Sequence, residues 1–310
     1  MNLSVQLAPK NKRSLVLENP VMTASGTFGY GTEYEHLFNI QNLGGIVCKG
    51  TTLEPRQGNP QPRIAETPCG ILNAIGLQNI GVKALVQEKA PIWATWQTPV
   101  IVNIAGNSVE EYEQIARILE EAPGIHGIEV NISCPNVSAG CMEFGSDPAS
   151  AFRVTAAVRK ATSLPVWVKL TPNTADIVSI ALAVAEAGAD AIVLINTLKG
   201  MAIDIKTRRP ILGNITGGLS GPAIKPVALR MVFEVAGVIK DIPLIGSGGI
   251  MTTRDAIEFF LAGATAVQIG TANLINPRAP IEILAGIKEF LQNEGLSDIK
   301  ELIGTAREQL

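Results

Sequence analysis

Short apolar runs recur along the chain, each closed by glycine or a polar residue: PVMTASG (20–26), GGIVCKG (44–50), VIVNIAG (100–106), GIEVNIS (127–133), VWVKL (166–170), AIVLIN (191–196), PLIGSGG (243–249) and AVQIGTA (266–272). They are too short for helices and carry too little polar alternation for half-exposed strands, so they read as strands buried on both faces. The intervening segments are amphipathic and carry start signals. Ser108 with Glu111 predicts a capping box opening SVEEYEQIARILEEA, and Thr252 with Asp255 predicts another before AIEFFLAG. Asp147-Pro148, Gly221-Pro222 and Asn276-Pro277 place proline at the first position of three helices, and Gly188 closes a helix that starts near Thr174. Ahead of the first run, LSVQLA and SLVLE predict an N-terminal β-hairpin.

Strand and helix therefore alternate through the chain, which places it in the α/β class. Eight strand candidates with about as many helices predict a (β/α)8 TIM barrel, residues 1–310 forming one domain. A doubly wound sheet would give the same local alternation. The glycine clusters ASGTFGYG and IGSGGI, however, lack the strand-GxGxxG-helix spacing of a dinucleotide fold. Two connections, 51–99 and 197–221, are long enough to predict loops over the C-terminal face, forming the floor or lid of a site.

Composition narrows the function classes. With 46% hydrophobic residues, 17% charged residues and a net charge of −3, the chain has no broad basic field for nucleic acid or an anionic membrane, so any anion site must be local. The four cysteines, Cys48, Cys69, Cys134 and Cys141, form no CxxC pair, and His36 and His126 are the two histidines, so no metal site is expected. Cys48 reads as a packing residue, Cys69 and Cys141 as loop thiols, and both histidines as structural. The N-terminus lacks the apolar stretch of a signal peptide and no run reaches the roughly 20 apolar residues of a membrane span, which predicts a cytoplasmic location.

Candidate chemistry lies at the strand ends. Lys49, Asn103, Asn131, Lys169 and Asn196 sit at or near the C-terminal ends of five different strands, and in a parallel barrel those ends converge on one mouth. Any one of them alone could simply meet solvent. IGSGGI and VQIGTA, after the seventh and eighth strands, supply glycines whose backbone N–H groups could approach a phosphate, with Gly221 ahead of the sixth helix as a third contributor. Gly248 and Gly249 could equally serve only a tight turn. A phosphate-bearing ligand ringed by amides and two lysines is similar to a flavin mononucleotide (FMN) site, where a lysine stabilises the negative charge of the reduced ring.

ASGTFGYG, GGIVCKGTT, NAIGLQN, VNIAG, EVNISCPN, VWVKL, GGLSGPAIKP, IGSGGI and VQIGTA together resemble class 1 dihydroorotate dehydrogenases over nearly the whole chain. ASGTFG with GLQN is similar to the type 1B catalytic subunit. The resemblance implies oxidation of dihydroorotate to orotate, with Cys134 of SCPN as the base. It implies that Lys49, Asn73, Ala74, Ile75, Gly76, Leu77, Asn131, Asn196 and Thr197 hold the substrate. FMN would meet Ser25, Lys49, Gly50, Asn103, Asn131, Lys169, Ile195, Gly221, Gly248, Gly249, Gly270 and Thr271. It further implies self-association as a dimer and a partner subunit carrying FAD and a 2Fe–2S cluster, which passes electrons to NAD⁺ in a two-plus-two heterotetramer. Segment 138–145, SAGCMEFG, departs from the family pattern at Cys141.

Other readings stay open on the sequence. Taken alone, Cys134 could be a small buried residue at a strand end. A dihydropyrimidine dehydrogenase-like FMN barrel shares the cysteine motif, but a histidine is expected where this chain has Asn136. A type 1A enzyme would use fumarate. A phosphate-binding lyase could use Lys169 as a Schiff-base amine, and a non-catalytic ligand-binding barrel is the most distant alternative.

Overall fold

Eight parallel strands close into a barrel in the computed structural model, which describes residues 1–133 and 144–307. They are β1 (Val21–Thr23), β2 (Gly45–Val47), β3 (Val100–Ile104), β4 (Gly127–Asn131), β5 (Val166–Lys169), β6 (Ala191–Leu194), β7 (Leu244–Ser247) and β8 (Ala266–Ile269), and each pairs with its neighbours in sequence until β8 meets β1. Every residue in these strands is buried, because helices cover the outer surface while side chains fill the interior. That double burial explains the continuous Val and Ile runs.

Nine α-helices occur among the described residues: α1 (Val82–Glu88), α2 (Ala90–Trp93), α3 (Val109–Glu120), α4 (Pro148–Ala161), α5 (Ile177–Glu186), α6 (Lys225–Val238), α7 (Thr253–Ala262), α8 (Ala272–Ile275) and α9 (Ala279–Asn293). The first β/α unit has no α-helix, only turns and a 3₁₀ segment at Ile40–Asn42.

Most of the expected helix starts hold, and the exceptions have local causes. Thr252 and Asp255 form the reciprocal capping box of α7, and Asp147 caps α4 with Pro148 in its first turn. Ser108 caps α3, but the Glu111 carboxylate reaches Asn107 N and Nδ2 instead of closing the box. Pro222 opens a 3₁₀ turn, Pro222–Ile224, that leads into α6. The helix expected from Thr174 begins at Ile177, because Asp176 accepts from Ser179 N at 3.0 Å and becomes the cap; Gly188, at φ 97°, follows its end as expected. Pro277 does not open a helix. Asn276 Oδ1 accepts from Arg278 N at 3.0 Å, a local turn that holds 276–278 outside, and α9 starts at Ala279 with Pro280 in its first turn.

The N-terminal hairpin pairs Val5–Gln6 with Val16–Leu17 and lies against the N-terminal end of the barrel. Leu7 and Leu17 are fully buried, and the Trp167 indole N–H donates to Leu7 O at 3.2 Å. Arg13 pairs with Glu120 at the end of α3, and the same carboxylate accepts from Thr162 Oγ1, Ser163 Oγ and Ser163 N in the turn after α4. Partial burial works against its ionisation, but those hydrogen bonds and the Arg13 charge win and hold the carboxyl pKa down at about 2. A carboxyl with a depressed folded-state pKa stabilises above its unfolded value and loses that contribution as pH falls through the folded one. Stability should therefore drop between pH 4.5 and about 2, and Glu120→Gln should flatten that limb in urea unfolding measured across pH.

The long connections fold together, as anticipated for the face at the C-terminal ends. Strands Ile64–Thr67 and Gly70–Asn73 from the first connection join Leu198–Gly200 and Gly217–Ser220 from the second in one antiparallel four-stranded sheet. A two-stranded hairpin, Ile203–Asp204 with Arg209–Pro210, extends from the second. Among the described residues, no helix is long and apolar enough to cross a membrane.

Candidate functional site

Strand alternation places the polar side chains. In β5, Trp167 and Lys169 are two apart and share the inward face, Trp167 low in the barrel and Lys169 near its mouth. Lys169 Nζ lies 3.1 Å from Gln268 Oε1 and 3.5 Å from Ser25 Oγ. Gln268 Nε2 donates to Glu129, which also accepts from Asn103 Nδ2 at 2.7 Å and lies 3.7 Å from Lys169 Nζ. Glu129 is completely buried and the Lys169 side chain is 5% exposed, so the pair is paid for by this hydrogen-bonded network. Glu129 and Gln268 were missed in sequence. Their signal was a charged residue and an amide in the middle of the apolar runs GIEV and AVQI.

One atom of the network has no hydrogen-bond partner among the described residues. Asn103 Oδ1 is buried without a hydrogen bond, although its own Nδ2 is engaged. A buried acceptor left open is costly and points to a ligand donor. The space beside it is kept free by Gly50, where a Cβ would lie 3.0 Å from Asn103 Oδ1 and 3.1 Å from Leu77 Cδ2.

Leu77 belongs to the segment Asn73 to Leu77, which lies over this space. Gly76 and Leu77 adopt φ of 76° and 55°, and the buried Asn79 fixes the bend by donating to Leu77 O and accepting from Thr52 N and Gly81 N. Ala74 is buried, while Asn73, Ile75, Gly76 and Leu77 are partly exposed. Asn73 Nδ2 donates to Gly218 O at 3.3 Å. Lys49, two residues past β2, is half-buried with its N–H on Gly29 O. Burial pushes its ammonium pKa down, Glu33 acts against that and Arg63 adds to it.

Asn131 and Asn196 meet on the opposite side. Asn196 Nδ2 donates to Asn131 Oδ1 at 3.2 Å, and Asn131 Oδ1 also accepts from Ser133 N. Thr197 N is held by Asn196 Oδ1, and Gly218 covers Thr197 so closely that a Cβ there would lie 2.1 Å from Thr197 Oγ1. Ser133 Oγ donates to Lys169 O, and the Phe144 ring meets Tyr112 edge-on at 5.9 Å. Cys134, Asn136 and Cys141 lie outside the described residues.

The glycine-rich turns gather at one edge of the mouth. Gly221, Gly248 and Gly249 have φ of 95°, 122° and 75°. A Cβ on Gly249 would lie 2.7 Å from Lys225 N, and one on Gly248 3.0 Å from Ala228 Cβ, so both glycines also permit close packing of the β7 end on α6. Thr271 Oγ1 donates to Ser220 Oγ at 2.8 Å, drawing the β8 turn, with Gly270, against Gly221. Ile195, buried, donates its N–H to Ser247 O at the adjoining strand end.

The remaining candidates fall elsewhere. Cys48 is fully buried, which pushes its thiol up to about 12, whereas Cys69 is exposed in the turn between strands 64–67 and 70–73. His126 Nδ1 accepts from Val100 N at the start of β3, at the opposite end of the barrel, and His36 is exposed.

Comparison with known proteins agrees with this geometry. The family pattern described as dihydroorotate dehydrogenase matches residues 10–291. A protein of Geobacter metallireducens is 57% identical over 303 residues, covering 98% of this chain and 97% of its own. One from Geotalea uraniireducens is 56% identical with the same coverage, and one from Desulforamulus reducens is 56% identical over 306 residues, 99% of each chain. All three are named dihydroorotate dehydrogenase B (NAD(+)), catalytic subunit.

Proposed function

This chain belongs to the dihydroorotate dehydrogenase family, and from that premise we propose that it oxidises dihydroorotate to orotate for pyrimidine synthesis, with FMN seated at the barrel mouth. The observation that carries the FMN assignment is the buried acceptor Asn103 Oδ1, left open beside Lys169 and beside the space preserved by Gly50. Isoalloxazine has an imide edge on which an N–H lies next to carbonyl oxygens, so it fits an open acceptor beside a lysine. Gly221, Gly248, Gly249, Gly270 and Thr271 would take its phosphate at the other edge, while Ser25 and Ile195 would flank the ring system. FMN, when bound, supplies the acceptor for a hydride.

The protein's own groups do the rest. Lys49, Asn73, Asn131, Asn196 and Thr197 would hold the substrate carboxylate and its ring N–H and C=O groups. Ala74 to Leu77 would cover the substrate and exclude water. Partial burial weakens the hydration of the Lys49 ammonium, which sharpens its preference for a bound carboxylate. Cys134 would remove the proton from one ring carbon as the hydride leaves its neighbour.

The relatives' name specifies a catalytic subunit and NAD⁺. We therefore place with this chain a partner carrying FAD and a 2Fe–2S cluster, two of each chain forming the assembly, in the cytoplasm. Purified protein should be yellow, hold one FMN per chain and bleach anaerobically with dihydroorotate; a colourless protein that takes up no FMN would sink the proposal. Affinity purification of a tagged chain, with iron and FAD analysis, tests the partner separately.

Close packing at Gly218 gives a sharper check on the substrate contacts. Gly218→Ala must displace Thr197, and overpacking of this kind costs about 1–3 kcal/mol. Steady-state kinetics should show KM for dihydroorotate raised roughly tenfold with a smaller change in kcat. An unchanged KM would remove Thr197 from the substrate contacts.

A further inference from the structure

Glu129 is fully buried beside Asn103 and two residues before Asn131, and nothing in the reaction as described uses it. An ionised carboxylate has acceptor capacity only, so every amide that meets it must present its NH₂. Asn103 does so through Nδ2 at 2.7 Å, and Gln268 through Nε2. The consequence for each amide is fixed. Asn103 has its oxygen left over, buried and without a partner among the described residues, and Gln268 has its oxygen left to face Lys169 Nζ at 3.1 Å. One carboxylate thereby determines that an acceptor and an ammonium donor stand side by side at the mouth.

Its charge has a second effect. Glu129 lies 3.7 Å from Lys169 Nζ, both side chains being at most 5% exposed, so solvent screens the pair weakly. The negative charge offsets much of the lysine's field at the ligand. We propose that Glu129 is a positioning residue that sets both the polarity of the flavin-binding edge and the strength with which the site favours negative charge on the flavin. This rests on the reading of the mouth as an FMN site. Gln268 serves as the spacer that keeps Lys169 turned toward the ligand, so that it pairs with Glu129 at 3.7 Å without a direct hydrogen bond.

Glu129→Gln keeps the shape, removes the charge and permits either amide to flip. Sulfite tests it in the FMN-loaded protein, because it adds through sulfur to N5 and leaves negative charge on the N1–C2 edge, without any other reactant. Titration of the visible spectrum should show sulfite binding about tenfold tighter than in the parent, and spectroelectrochemistry a two-electron potential about 30 mV higher, the same factor expressed in volts. Gln268→Met preserves the charge and cuts the spacer. FMN affinity, followed by fluorescence on dilution, should fall about tenfold as Lys169 swings to Glu129.

A purely structural role for Glu129 predicts lower melting temperatures with both ligand affinities unchanged. Sulfite affinity within twofold of the parent in Glu129→Gln overturns the charge role. If that variant does not fold, FMN affinity within twofold in Gln268→Met overturns the positioning role by itself. A parent protein that takes up no FMN overturns this inference together with the reading beneath it, whereas a parent that binds FMN normally confines the failure to Glu129.

Discussion

Cys134→Ser should slow anaerobic flavin reduction by dihydroorotate by a factor of about 10² to 10⁴, the usual contribution of a positioned base. The serine hydroxyl has nearly the same size but is a far weaker base near neutral pH, whereas a cysteine thiol with an ordinary pKa of about 8.5 ionises appreciably there. Binding should survive. The flavin and substrate contacts expected of Lys49, Asn103, Asn131, Lys169 and Asn196 do not involve this side chain, so FMN content and orotate affinity should stay close to the parent. Rapid-mixing absorbance at the flavin band measures the step directly. Reduction as fast as in the parent would show that another group takes the proton.

The second large effect is on stability. Lys169→Met in the flavin-free protein leaves the fully buried Glu129 carboxylate without its cation, with amides as its remaining donors. Breaking a buried ion pair in this way costs about 3–5 kcal/mol, far more than deleting both charges together. Urea unfolding of Lys169→Met should show that loss, and adding Glu129→Gln should restore most of it. If the double variant is as unstable as the sum of the single ones, the two side chains are not coupled.

The barrel was legible because parallel strands covered on both faces are largely apolar, and GIEV, VWVKL and AIVLIN leave little room for another reading. Mouth residues were legible for a related reason: a lysine or asparagine that ends such a run can seldom be buried without a purpose. Glu129 and Gln268 escaped because they stand inside the runs, where a single polar letter in a strand carries no mark of the network across the barrel that accommodates it. The sheet over the mouth escaped as well. Its strands include GGLS, which has neither β-branched residues nor alternation, and its pairing partner Gly70–Asn73 lies far away in sequence. Helix starts followed the side chain that caps most effectively, so Asp176 displaced Thr174, and the turn at Asn276 displaced the proline signal.

That covering sheet interlaces two stretches on either side of four of the eight barrel strands, β3 to β6: Leu72 pairs with Leu219, and Asn73 with Gly218. Bringing together contacts so distant along the chain costs loop-closure entropy before they return any stability. A nascent chain ending before residue 217 would own Lys49, Asn73, Asn131 and Asn196 yet lack the strand that holds Asn73 in place. Such a chain would also lack β7 and β8, whose turns are expected to take the phosphate, so ligand uptake during synthesis would require both the laced roof and the closed barrel, making flavin colour a reporter of completed folding.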